Sequence, residues 1–93
     1  MGRQEVVDGA VALPELLARL KAAGAPSTIV MVDGQLVMPN ANPATWSDVR
    51  VKTPAGTFAL KRQADGTVAV VAFGNADAAA VAMQSQIATA LKP

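Results

Sequence analysis

Two Asp-Gly pairs, at 33–34 and 65–66, each stand between runs rich in apolar residues. Such a pair accepts positive φ at both central positions of a two-residue hairpin loop, and that loop joins antiparallel neighbours. A third tight connection, "TPAGT" at 53–57, lies between the two. The apolar and alternating runs around these turns read as strands at 28–32, 35–38, 47–53, 57–63 and 67–73. The sequence therefore predicts about five antiparallel strands in a meander.

Each turn fixes an expected register. Across Asp33-Gly34, Met31 faces Leu36 and Ile29 faces Met38, with Val30 facing Val37 on the other side. Across Asp65-Gly66, a two-residue loop pairs Leu60 with Val71 and Phe58 with Phe73 on the core face. It also pairs Lys61 with Val70 and Gln63 with Val68 on the second face. In 47–53, Val49, Val51 and Thr53 point one way and Asp48, Arg50 and Lys52 the other.

Helices flank these strands. Leu13, Leu16, Leu17 and Leu20 recur at the spacing of one apolar helical stripe, with Pro14 and Glu15 suited to the first turn. Gly24 and Pro26 stop that helix, and Arg19 and Lys21 fall on or beside its solvent face. A closing helix over 76–92 carries the stripe Ala76, Ala80, Met83, Ile87 and Leu91, with Asn75 as its expected cap and Gln84 at the stripe's margin. The fold expected is α+β, a two-layer sandwich of helix, about five-stranded antiparallel meander sheet, and helix, with both helices on one face. Residues 1–93 read as one small domain. Residues 1–10 are either a short strand or a frayed tail.

Absences narrow the chemistry. The 93 residues contain no Cys and no His, which removes thiol nucleophiles, disulfides, thiolate or imidazole metal sites, and a side chain titrating unperturbed near neutrality. Of the acids, Asp33 and Asp65 are explained by turns and Glu15 and Asp77 by helix starts, leaving Asp48, Glu5 and Asp8. No carboxylate pair is arranged for acid–base work. "FGNADAA" leads from a strand to a helix start but has one glycine and no following lysine, so it is not a phosphate loop. The opening "MGRQEVVDG" is charged where a secretion signal needs an apolar core, and Val6 occupies the Ser/Thr position of a myristoylation motif. The longest apolar run, "VAVVAF", is too short to span a bilayer. A cytoplasmic location is the default expectation.

Binding candidates come from the strands and one loop. Arg50, Lys52 and Lys61 gather on one sheet face, the first binding candidates. Arg62 falls on the other, helix-side face at the strand's end. Trp46, at the end of the Pro/Asn loop 39–46, is either core packing or a contact point. Val30, Val37, Val68 and Val70 are more apolar than an exposed face requires, which makes them candidate interface residues. The composition is 52% hydrophobic and only 16% charged, against about 25% charged in an average domain. Some apolar surface is thus expected to be covered by another chain. The net charge of +1 argues against nucleic acid, as does the absence of aromatics among the cations.

The leading expectation is a non-enzymatic interaction module, a homodimer that presents a sheet face and the 39–46 loop. A heterologous protein partner would suit the same surface. The alternative is a small domain binding an anionic ligand or nucleic acid through Arg50, Lys52 and Lys61. An enzyme, hydrolytic or other, ranks third. No cofactor, metal or membrane association is expected.

Overall fold

The first Asp-Gly pair makes the turn its sequence specifies. Asp33 and Gly34 have φ of 50° and 82°, and Met31 lies opposite Leu36 and Val32 opposite Gln35. The computed structural model describes residues 4–38, 43, 45–74 and 77–93. The chain runs β1 (Gln4–Asp8), α1 (Leu13–Ala22), β2 (Thr28–Val32), β3 (Gln35–Leu36), β4 (Asp48–Thr53), β5 (Gly56–Arg62), β6 (Thr67–Ala72) and α2 (Ala78–Leu91). All strand pairs are antiparallel.

The sheet has six strands in the order β1-β6-β5-β4-β2-β3, which corrects the expected five-stranded meander in two respects. Residues 4–8 form a strand rather than a tail, since Val7 sits opposite Val68 on β6 and is buried in the core. β4 pairs with β2, not with β3, so only β4-β5-β6 is a continuous meander. The short β3 is left as an edge. A bulge between Ile29 and Met31 shifts the β2–β4 register. Ile29 therefore pairs with core-facing Val51, whereas Met31 pairs with Arg50 on the opposite face.

The second Asp-Gly pair behaves differently. The Gln63 N–H donates to Thr67 O at 2.8 Å, and the Gly66 N–H donates to Gln63 O at 3.0 Å. With Gly66 at φ 88°, this is a three-residue loop, Ala64-Asp65-Gly66, built as a type I turn followed by a left-handed glycine bulge. Asp65 favours it by accepting from the Thr67 N–H at 3.0 Å and the Thr67 hydroxyl at 2.6 Å. The extra loop residue slips β6 by one position relative to the two-residue expectation. Leu60 is opposite Val70, Phe58 opposite Ala72 and Lys61 opposite Ala69. Because side chains alternate, that slip exchanges the two faces of β6. Val68 and Val70 enter the core, and Phe73 leaves it.

One core results. Val49, Val51, Phe58, Leu60, Val68 and Val70 from one sheet face join Leu13, Leu16 and Leu20 of α1 and Met83, Ile87 and Leu91 of α2 in a single buried cluster. Ala59 and Ala69 are buried too, but they point to the other face and lie outside that cluster. Both helices thus cover the same side. α1 ends as expected: Gly24, at φ 83°, lets the Ala25 N–H reach Leu20 O at 2.9 Å and its own N–H reach Lys21 O at 3.1 Å. For α2 the N-cap is Asp77, whose carboxylate accepts from the Ala80 N–H at 2.8 Å. Asn75 and Ala76 lie outside the described residues. Gln84 is not marginal but buried, and its amide donates to Val70 O at 2.8 Å.

Candidate functional site

Alternation and register together define the helix-free face. One row across the sheet runs Leu36, Met31, Arg50, Ala59, Val71 and Gln4; the next runs Asp48, Lys61, Ala69 and Val6. Phe73, whose N–H donates to Thr57 O at 3.2 Å, continues β6 on this side. The large hydrophobic side chains exposed among the described residues gather here. Val6 is 54% exposed, Leu36 82% and Phe73 45%, and Met38, two residues beyond Leu36, is 72% exposed. No helix covers them, because both helices belong to the opposite side.

The cations Arg50, Lys52 and Lys61 do share this face, as the alternation of β4 and β5 requires. They are not an unbroken basic stripe. Arg50 lies over the Phe73 ring, 4.9 Å from its centroid, and its Nη1 approaches Met31 Sδ at 3.8 Å. The guanidinium is therefore folded down against apolar neighbours. Asp48 stands opposite Lys61 and two residues from Arg50. Even so, the one ion pair among the described residues is Glu15–Arg19, at 3.2 Å on α1. The sheet face carries charges of both signs that no salt bridge among the described residues joins.

Several sequence-based site assignments change place. Val68 and Val70 are sealed in the core by the three-residue turn and cannot line an open face. Val37 is half-buried against the core, and Val30 is the half-buried residue at the β2 bulge. Trp46 is buried, its ring under the Arg62 guanidinium at 4.2 Å, while Arg62 Nε donates to Trp46 O at 3.1 Å. It closes the core beneath Arg62 and offers no free ring to a partner. Residues 39–42 and 44 of the loop lie outside the described residues. Phe73, Val6, Leu36 and Met38, which now define the face, had not been singled out. Every position from Val68 to Phe73 is apolar, so nothing in β6 itself marks which side faces out.

The remaining polar groups have local work. The Asp33 carboxylate accepts from the Ser47 and Asp48 N–H groups at 2.8 and 2.9 Å, which tie the first turn to the start of β4. Those bonds hold its pKa below the ordinary 3.8. Arg19 donates to Ala90 O at 3.1 Å and Lys92 O at 2.6 Å, and so caps the last carbonyls of α2. A shallow groove of about 500 Å³ beside it is lined by Leu20, Ala23, Ala82 and Ala90 together with Arg19, Ser85, Gln86 and Thr89. Arg19 is engaged by the α2 carbonyls and Glu15, and the Gln86 amide donates to Ala23 O at 3.4 Å. Among the described residues no acid cluster is arranged to hold a metal ion, and no helix is long and apolar enough to cross a membrane.

With this geometry in hand, the chain is an α+β protein whose distinguishing surface is an open antiparallel sheet face. Comparison with protein-family models, with curated proteins and with solved structures returns no match.

Proposed function

We propose that this protein is a non-enzymatic interaction module that docks through the helix-free face of its sheet, in the first instance onto a second copy of itself. The observation that carries this reading is the collection of Val6, Leu36, Met38 and Phe73, all exposed, on or beside one face. Exposed apolar residues scattered singly are ordinary, but here Val6 at the β1 edge, Phe73 beyond β6, and Leu36 and Met38 at the β3 edge span one side of the sheet that no helix covers. The non-enzymatic part is supported by the state of the acids. Asp33, Asp65 and Asp77 are engaged by turn and cap amides, and Glu15 by Arg19.

Sedimentation at micromolar concentration tests the reading. The wild type is expected at twice the 9.5 kDa chain mass. Leu36→Lys and Phe73→Lys, at exposed sites that leave the core intact, are each expected to shift it to monomer. A wild-type chain that stays monomeric throughout, or variants that stay dimeric, would remove this reading.

A further inference from the structure

The two central rows of the open face are complementary to one another. The first presents Arg50 and Val71, and the second presents Asp48 and Lys61, with the buried Ala59 and Ala69 lying low between them on the same three strands. A two-fold axis lying in the plane of contact, perpendicular to the strands and between these rows, exchanges them. It sets cation against acid at β4, Lys61 over the low floor at Ala59 on β5, and Val71 over the low floor at Ala69 on β6. Stacked sheets lie about 10 Å apart, a gap that an arginine and an aspartate span together but that two alanines do not.

Resting on the docking reading above, we infer that two copies stack their open faces about this axis, with Arg50 of each copy paired to Asp48 of the other. The interface is isologous, so each pair occurs twice. Strands at about 4.8 Å spacing and about 3.3 Å rise per residue give this face a flat area on the order of 500 Å². A standard interface buries roughly 800 Å² per partner, so the whole face, edge strands included, has to be covered. A polyanion fits less well, since Asp48 lies in the same patch as the cations.

A charge-swap series on the full chain tests the axis, read by sedimentation across the micromolar range, with far-UV circular dichroism to confirm folding. Asp48→Arg and Arg50→Asp are each expected to weaken self-association by about tenfold or more, because each sets like charges face to face. The double variant carrying both changes restores both pairs and is expected to recover most of the wild-type affinity. If Leu36→Lys dissociates the dimer but the double swap does not recover it, the sheet face still docks and this axis is wrong. If single swaps leave association unchanged, the axis is likewise wrong. A monomeric wild type that instead retains a single-stranded oligonucleotide at low salt overturns both readings in favour of an anionic ligand.

Discussion

The same dipeptide makes two different turns in this chain. Asp33-Gly34 has positive φ at both positions and closes a two-residue loop, whereas at the second turn only Gly66 is left-handed and the loop takes in Ala64. The surroundings decide. Asp33 turns its carboxylate outward to the Ser47 and Asp48 amides across the sheet. Asp65 turns inward to the Thr67 amide and hydroxyl within its own loop. The first turn serves a two-residue edge strand. The second sets the phase of β6, which pairs on both sides and fills the middle of the core. A hairpin dipeptide thus announces a turn but not its length, and the length matters in proportion to what the following strand buries.

The largest expected effect comes from moving β6 out of the phase that the second turn sets. One alanine inserted between Thr67 and Val68 keeps the Ala64-Asp65-Gly66 loop and shifts the rest of β6 by one residue, which would expel Val68 and Val70 from the core. With about 1.5–3 kcal/mol for burying each valine, the loss is expected on the order of 5 kcal/mol, enough to unfold many domains of this size. Urea denaturation measures it. One alanine inserted after Gly34 is expected to cost far less, about 1 kcal/mol, because β3 buries little. Equal costs would break the distinction between the turns.

Point substitutions read the same register with smaller effects. Val70→Ala is expected to cost about 2 kcal/mol and Phe73→Ala less than about 1 kcal/mol. The two-residue register would give the opposite order. Gln84→Ala removes the buried donor to Val70 O and is expected to cost about 1–3 kcal/mol in the same denaturation series. The smallest effect is acid lability. Asp33 is held below the ordinary 3.8 by the Ser47 and then the Asp48 amide, and Asp65 by the Thr67 hydroxyl and then its amide. A depressed folded-state pKa means stability that is present above the ordinary value and lost as pH falls through the folded value. Asp33→Asn and Asp65→Asn are therefore each expected to flatten the fall in melting temperature below about pH 4, with little change at neutrality.

What could be read from the sequence follows the same division. The phases of α1, β4 and β5 were legible because polar and apolar residues alternate there with one consistent period. Leu13, Leu16 and Leu20, Val49 and Val51, and Phe58 and Leu60 all face the core as expected. β6 was not legible, since its unbroken apolar run fits the core in either phase and the turn alone selects one. The β2 bulge at Val30 was invisible for a similar reason, because both neighbours are apolar. Gln84 escaped because a polar residue beside a stripe reads as solvent-facing until a carbonyl is found for it. The open face was expected on the right side of β4 and β5, with Arg50, Lys52 and Lys61. Its apolar members were misplaced wherever they depended on β6.

The pairing of β1 with β6, and the reach of Arg19 to carbonyls 71 and 73 residues away, have a kinetic meaning. The entropy of closing so long a loop grows only logarithmically with its length, so folded stability suffers little. Time is affected more, because contacts so distant in sequence slow folding and cannot form before their partners exist. During synthesis β1 and α1 leave the ribosome well before β6 and α2, and have nothing native to settle on. The meander β4-β5-β6 can assemble from neighbours, leaving the flank of β6 bare until β1 returns to it. In that interval the barest backbone in the molecule lies beside its most apolar strand, where a second nascent chain could pair in place of the first.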